Sequence, residues 1–152
     1  MMVAKGLGGG FPVGAVLATE NAVQGFAPGA HGSTFGGNAL AMAVSNAVLD
    51  VMLAPGFLEG VDKNAQLLRS KLEAVAARHP TVISEVRGVG LILGVKCVVP
   101  NTEMVDKLRT LKLLTVGAGD NVVRLVPPLI IGPAEIDQAV AAIEAACRTW
   151  SA

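Results

Sequence analysis

The chain has 152 residues, of which 12 are basic and 12 are acidic, so its formal net charge is zero. A balanced charge provides no electrostatic footprint for nucleic acid or for an anionic membrane surface, so neither is expected as a partner. Hydrophobic residues make up 52% of the chain, which is enough for a substantial core. Only 3% are aromatic, so base stacking and aromatic cages are not expected modes of recognition.

The two cysteines, Cys97 and Cys147, lie far apart in the sequence and match no metal-ligand spacing. Isolated cysteines in apolar surroundings are more often reduced core residues than a disulfide. The sequence therefore predicts no metal site and a cytoplasmic location. A secretory signal at the chain start is the disfavoured alternative, because several glycines and Pro12 dilute the apolar stretch that a signal requires.

A glycine-rich stretch with a single lysine opens the chain, AKGLGGGFPVGA at residues 4–15. Glycine tolerates positive φ and leaves room for a close neighbour, so the backbone can turn tightly beside Lys5. A lysine held in such a turn can be an imine-forming nucleophile, although most lysines are simply solvated. The stretch does not match a nucleotide-binding loop, because Lys5 precedes its glycines and Phe11 occupies the third glycine position of the dinucleotide fingerprint.

The first third of the chain predicts one strand and one long helix. Residues 13–18 form an apolar run typical of a buried strand, and Thr19 then caps a short helical turn. After a glycine-rich loop, residues 39–54 predict a helix that is apolar nearly all round and ends at Pro55. This helix is shorter than the roughly 20 apolar residues of a membrane span, so we expect a core helix.

The loop before this helix, HGSTFGGN at residues 31–38, carries two hydroxyls and several unhindered amides. A serine hydrolase is disfavoured, because the glycines that a nucleophile elbow needs on both sides of Ser33 are absent. Anion binding at the helix N-terminus is the favoured interpretation, with phosphate as the natural ligand. The alternative is a helix cap made by Ser33, Thr34 or Asn38.

The remainder predicts an α+β layer. Charged residues and one apolar stripe predict a helix over residues 57–78, and a domain boundary is expected near residues 55–65. Strands are predicted at residues 82–86 and 91–98, joined by a hairpin turn at residues 88–90, which we favour over a nucleotide loop. A helix at 102–111, strands at 113–116 and 122–126, and a helix that begins at Pro133 complete the pattern.

One charged residue interrupts the strand predicted at residues 122–126. Arg124 stands among apolar neighbours, where an arginine needs a carboxylate partner or a ligand. The planar guanidinium binds a carboxylate with two parallel hydrogen bonds. An internal salt bridge and a substrate-binding role therefore remain equally open at this point.

Four segments, in this order, resemble class III aminotransferases, which use pyridoxal phosphate, and specifically the acetylornithine/ornithine branch. The first is the lysine segment at residues 4–15, and the second is the HGSTFGGN loop at 31–38. The third and fourth are RGVGLILG at 87–94 and NVVRLVPPL at 121–129. Within the branch, LTVGAGDN at 114–121 looks most like the acetylornithine transaminases of arginine biosynthesis, with ornithine and succinylated-amine relatives as alternatives.

The resemblance implies a role for each of four residues. Lys5 would bind the cofactor covalently and then move the proton between the substrate carbon and the cofactor carbon. Thr34 would bind the cofactor phosphate of the neighbouring subunit, and Ser33 would lie beside the substrate. Arg124 would bind a substrate carboxylate or pair with a glutamate that gates it. The substrates would be an amino acid and a 2-oxo acid, 2-oxoglutarate.

The resemblance also implies the fold class and the organisation of the chain. The expected fold is α/β, the C-terminal part of a PLP-dependent transferase of the aspartate aminotransferase type, working as a homodimer. Residues 1–58 would be the end of the large domain, and residues 59–152 the small α+β domain. Family chains extend far upstream of the lysine, so we expect a truncated chain that lacks other cofactor contacts. The alternatives are a non-catalytic interaction domain and a small-molecule-binding domain formed by residues 80–152.

Overall fold

The computed structural model describes residues 1–150 as a mixed α/β chain. Contacts divide the chain into two compact units, Met1–Phe57 and a second unit that begins at Leu58. No single helix among residues 1–150 is long and apolar enough to cross a membrane. The helices Ala39–Met52 and Phe57–Arg78 meet the criteria of length and composition only when taken together as a bent pair.

The first unit consists of a small hairpin and two helices. Strands β1 (Met2–Ala4) and β2 (Gly14–Val16) pair antiparallel, with Val3 opposite Ala15. Helix α1 spans Glu20–Val23, and α2 spans Ala39–Met52. As predicted, Thr19 caps α1, because its hydroxyl oxygen accepts a hydrogen bond from the Ala22 amide at 3.4 Å.

Two expectations about burial in this unit are wrong. Strand β2 is exposed along its whole length, because it pairs with β1 alone and no second layer of the unit covers it. Helix α2 buries only Ala41 and Ser45, whereas Leu40 is 61% and Val51 is 54% exposed. The helix predicted over residues 39–54 is present as α2, but an apolar composition does not determine which surface covers a helix.

The second unit is a four-stranded antiparallel sheet with three helices. Its strands are β3 (Ile83–Val89), β4 (Ile92–Cys97), β5 (Val116–Ala118) and β6 (Val122–Leu125), in the spatial order β3-β4-β6-β5. Helix α3 spans Phe57–Arg78, α4 spans Asn101–Thr110 and α5 spans Pro133–Arg148. The expected order of helices and strands is thus present.

The hydrophobic core of this unit joins one face of the sheet to the three helices. Alternate residues of β4 and β6 face inward, and the register places Val95 opposite Val123 and Leu93 opposite Leu125. The helices contribute residues at helical spacing, as their stripes predicted. The buried helical members include Leu68, Leu72 and Val75 of α3, Met104 and Leu108 of α4, and Ile136 and Ile143 of α5.

Two strands of the second unit, β3 and β5, differ from their predicted bounds by more than one residue. The strand expected at residues 113–116 begins only at Val116, because the chain leaves α4 through Lys112 at a φ of 66° and Leu114 is 84% exposed. Strand β3 continues through Gly88 to Val89, so the turn of the β3–β4 hairpin is Gly90-Leu91 and not residues 88–90. The hairpin itself is confirmed.

Replacing Gly88 by alanine is expected to destabilise this hairpin by about 2 kcal/mol. Gly88 has a φ of 132°, and a Cβ atom there would lie 2.1 Å from the Ile92 carbonyl oxygen. Gly90 is the control, since its φ is 55° but a Cβ atom would meet nothing within 4 Å. Denaturant unfolding of Gly88→Ala and Gly90→Ala should give the larger loss for Gly88→Ala, and equal losses would refute the steric argument.

Candidate active site

Lys5 is the first residue of a 3₁₀ turn, Lys5–Gly8, that leads from β1 towards β2. Its φ is 55°, in the left-handed region that residues with a Cβ atom rarely adopt. Such strain costs about 1–3 kcal/mol and persists only where the surroundings impose it. The side chain is exposed, so the strained turn presents the amine to the outside of the first unit.

The glycines after Lys5 allow close packing of this turn. A Cβ atom on Gly8 would lie 2.7 Å from Cγ1 of Val13, and one on Gly9 would lie 2.9 Å from Cγ2 of Val48 on α2. The turn is closed by a hydrogen bond from the Gly9 amide to the Gly6 carbonyl at 3.1 Å. The glycines therefore let the lysine segment lie directly against α2, in addition to allowing the turn.

The sequence offered Ser33, Thr34 or Asn38 as the cap of α2, and the structure places Asn38 there. Asn38 caps α2: its Oδ1 accepts from the Ala41 amide at 2.9 Å, and its Nδ2 donates to the Phe35 carbonyl at 2.9 Å. Ser33 and Thr34 are exposed and are not needed for the cap. Their hydroxyls are therefore available to an anionic ligand, which stays a prediction.

Arg124 lies on β6 between Gly94 of β4 and Val116 of β5 in the sheet register. The side chain is exposed on the face of the sheet opposite the core. Within residues 1–150 no ion pair includes Arg124. Within residues 1–150 the structure shows no internal salt bridge of Arg124, and the acid nearest in sequence, Asp120, pairs with Lys96 and Arg87.

Asp120 is held by two cations of neighbouring strands. One of its oxygens lies 3.0 Å from Nζ of Lys96, and the same carboxylate accepts from Nη2 of Arg87 at 2.9 Å. The hydrogen bond from Lys96, followed by that from Arg87, lowers the pKa of the Asp120 carboxyl. The carboxylate is therefore charged at neutral pH and engaged away from Arg124.

This lowered pKa makes part of the stability depend on pH. Asp120 contributes stability above the unfolded carboxyl pKa of about 3.9, and the contribution is lost as pH falls through the lower folded value. We expect Asp120→Asn to lower the melting temperature at pH 7, and we expect this deficit to shrink as pH falls below about 3.9. Thermal melts at pH 7 and at about pH 2 test this. Asp62→Asn is the control, because Asp62 is exposed and no ion pair within residues 1–150 includes it. An equal deficit at both pH values would contradict it.

The cysteines agree with the sequence interpretation. Cys97 and Cys147 are free and buried, and burial raises the pKa of both thiols, that of Cys147 to about 11. Within residues 1–150 no group of three or more His, Cys, Asp or Glu side chains is placed to hold a metal ion.

The predicted site residues divide between the two units. Lys5, Ser33 and Thr34 belong to Met1–Phe57, and Arg124 belongs to the unit that begins at Leu58. One further residue beside Arg124 escaped the sequence analysis. Asn121 has a φ of 54° and uses its side chain for three hydrogen bonds. The only sequence signal was a Gly-Asp-Asn turn pattern, which does not reveal long-range partners.

A family model described as aminotransferase class-III matches residues 1–147. The chain belongs to the class-III aminotransferase family. Acetylornithine aminotransferase 1 of Bradyrhizobium diazoefficiens is 60% identical over 151 residues, which are 99% of this chain and 37% of that protein. This chain thus spans about 37% of the length of that curated class-III relative.

Solved aminotransferase structures show the same fold. Acetylornithine aminotransferase from Elizabethkingia anophelis is 35% identical with a TM-score of 0.86, over 97% of this chain and 40% of its own. The ornithine aminotransferase of Toxoplasma gondii is 29% identical with a TM-score of 0.86, over 97% of this chain and 36% of its own. The latter structure is described as having partial occupancy of PLP at its active site. The expected α/β fold, part of a PLP-dependent transferase, is confirmed.

Proposed function

We propose that this chain supplies the lysine-bearing and carboxylate-binding parts of a PLP-dependent aminotransferase. The proposed reaction transfers the amino group of N-acetylornithine to 2-oxoglutarate, with ornithine and a succinylated analogue as alternative donors. The similarity to acetylornithine aminotransferases along nearly the whole chain carries this proposal. The strained, exposed Lys5 supports it from an independent direction, because positive φ at a residue with a Cβ atom is typical of functional sites.

The described residues fit the proposed cofactor. Pyridoxal phosphate carries an aldehyde, which an exposed amine can attack, and a phosphate, which hydroxyls and unhindered amides can bind. Lys5 offers the amine, and the loop of Ser33 and Thr34 offers hydroxyls that the α2 cap does not use. When bound, the cofactor supplies the electron sink for amino-group transfer.

Each residue then has one proposed task. Lys5 holds the cofactor and, when released, carries a proton on Nζ between the two reacting carbons. Thr34 donates its hydroxyl to the cofactor phosphate of a neighbouring subunit, and Ser33 lies beside the substrate. The proposed assembly is therefore a homodimer. The exposed apolar side chains of the first unit, among them Leu40 and Val51, support a covering protein surface.

Arg124 is proposed to bind a substrate carboxylate. The support is its lack of an ion-pair partner within residues 1–150 and its exposure on the open face of the sheet. A guanidinium with five donors in a fixed fork binds a carboxylate more specifically than an ammonium does. The free, buried cysteines support a reducing, cytoplasmic location.

Covalent mapping of the cofactor tests this proposal. The purified protein is incubated with pyridoxal phosphate, reduced with borohydride and digested, and modified lysines are identified by mass spectrometry. We expect Lys5 to be modified well before Lys112, which is a matched control because it is also exposed and has a positive φ. Glutamate formation from N-acetylornithine and 2-oxoglutarate tests the substrates. Modification spread evenly over surface lysines would overturn the proposal.

A non-catalytic interaction domain is the second candidate. The observation that favours it is the exposure of α2 and β2, which are apolar but uncovered. Size-exclusion chromatography separates the two candidates when it is combined with the mapping experiment. An oligomer without preferential modification of Lys5 favours the interaction domain, and a homodimer modified at Lys5 favours the aminotransferase.

A further inference from the structure

We propose that Asn121 is a positioning residue for Arg124, and that its side chain sets the affinity for the substrate carboxylate. The inference rests on the proposed function, because it assumes that Arg124 binds that carboxylate. Asn121 immediately precedes β6, and Arg124 follows three residues later, about 10 Å along the strand. What fixes the start of β6 therefore fixes the backbone from which the guanidinium extends.

Asn121 ties the start of β6 to the segment between β4 and α4. Its Nδ2 donates to the carbonyls of Cys97 at 2.6 Å and Val99 at 2.9 Å, and its Oδ1 accepts from the Asn101 amide at 2.8 Å. In addition, the backbone amide of Cys97 donates to the Asn121 carbonyl at 2.9 Å. The side chain thus bonds backbone groups of Cys97, the last residue of β4, of Val99, and of Asn101, the first residue of α4.

Asn101 completes the connection from the other side. Its Nδ2 donates to the carbonyl of Ala118, the last residue of β5, and to that of Val122, the first residue of β6, both at 3.0 Å. The two asparagines therefore hold the β5–β6 turn to the start of α4. Strand β6 has only four residues, so the position of its first residue bears directly on that of its third, Arg124.

The turn that these bonds hold has a left-handed backbone. Asp120 and Asn121 have φ angles of 59° and 54°, in a region that aspartate and asparagine tolerate better than other residues with a Cβ atom. Without the Asn121 side-chain bonds the turn is no longer tied to the start of α4, and the guanidinium of Arg124 then samples more positions.

Within residues 1–150, no acidic side chain forms an ion pair with Arg124. Asp120 lies in the turn, but Lys96 and Arg87 hold its carboxylate. On the open face, the residue opposite Arg124 on β4 is Gly94, which has no side chain to cover it. The bonds of Asn121 thus orient β6, and the ion pairs of Asp120 keep its carboxylate away from Arg124. The guanidinium stays exposed, as a residue that binds a carboxylate requires.

The test compares the whole 152-residue chain with its variant Asn121→Gly. Glycine accepts the positive φ of residue 121 but removes all three side-chain hydrogen bonds. We expect the Kd for glutarate, measured by calorimetry, and the KM for 2-oxoglutarate to rise between about tenfold and a hundredfold. Modification of Lys5 by pyridoxal phosphate should not change. Asn64→Ala is the matched control, because Asn64 donates a comparable bond to the Ile131 carbonyl at 2.7 Å, away from the β5–β6 turn.

A double-mutant cycle separates positioning from a general loss of stability. If Asn121 acts through Arg124, Asn121→Gly should change the KM for 2-oxoglutarate less than about twofold when Arg124→Ala is already present. A purely structural role would lower the melting temperature in both backgrounds and leave the KM of the single variant unchanged. That result, or an equal KM effect of Asn64→Ala, overturns the inference.

The proposed function fails in a different way. If Lys5 is not modified preferentially, the aminotransferase proposal fails whatever Asn121 does. If Lys5 is modified and the parent protein binds glutarate, but Asn121→Gly binds it equally well, only the positioning inference fails. A parent protein modified at Lys5 that does not bind glutarate overturns the carboxylate role of Arg124 together with this inference.

Discussion

Replacing Lys5 by alanine should reduce amino-group transfer by on the order of 10⁴-fold or more, because the variant loses both the covalent attachment and the proton carrier. Alanine keeps the Cβ atom and hence the strain of the turn, so the fold around residue 5 should persist. Glutamate formation measures turnover, and borohydride mapping measures attachment. Lys112→Ala, at a second exposed lysine with positive φ, should leave both unchanged.

Lys5→Gly provides a sharper version of the same experiment. Glycine adopts a φ of 55° without strain, so this variant should gain about 1 kcal/mol of stability while losing turnover. If Lys5→Gly is more stable than the parent but loses turnover, the backbone strain at residue 5 is tolerated because the lysine amine is needed for amino-group transfer. Turnover close to that of the parent in either variant would remove Lys5 from the reaction, and a loss of stability in Lys5→Gly would refute the strain argument.

The second unit was predictable because its sequence carries strong local signals. The apolar stripe of α3 matches Leu68, Leu72 and Val75, which are all buried, and the helix has the predicted bounds. Pro133 begins α5 as expected, and the RGVG pattern lies in a hairpin. Helical periodicity and turn chemistry are short-range properties, so they can be read without knowledge of the fold.

The first unit was less predictable, because burial depends on neighbours that a local pattern does not identify. Residues 39–54 were expected to form a core helix since they are apolar, yet α2 buries only Ala41 and Ser45. An apolar helix can equally face the rest of its own domain or another protein surface. The strand predicted at residues 113–116 began too early for the same reason, because Leu114 is apolar but exposed.

The candidate site shows a similar division. The roles of Lys5, Ser33, Thr34 and Arg124 follow from the resemblance to the family, with support from residue type for Lys5 and Arg124, and they stay predictions. The positive φ of Lys5 could not be predicted from the sequence, because the neighbouring glycines adopt positive φ more easily than a lysine does. The packing of Gly9 on Val48 and the bonds of Asn121 to Cys97 and Val99 join residues far apart in the sequence. Such pairings depend on the folded chain path.

Removing the guanidinium of Arg124 is the second decisive substitution. Arg124→Ala should cost about 3 kcal/mol of carboxylate binding, because two charge-assisted hydrogen bonds are lost. That energy corresponds to a rise of more than about a hundredfold in the KM for 2-oxoglutarate. Lys5 should still be modified by pyridoxal phosphate, since Arg124 is proposed to contact the substrate and not the cofactor.

Arg124→Lys distinguishes charge from geometry. Lysine keeps the positive charge but lacks the planar fork, so its KM should lie between those of the parent and Arg124→Ala. Because the carboxylate is bound in both the ground state and the transition state, kcat should change less than KM. Arg109→Ala is the control, because Arg109 is exposed and, within residues 1–150, its ion pair is with the nearby Asp106. A KM that is unchanged in Arg124→Ala, or raised equally in Arg109→Ala, would show that the exposed guanidinium of Arg124 is a surface charge with no part in substrate binding.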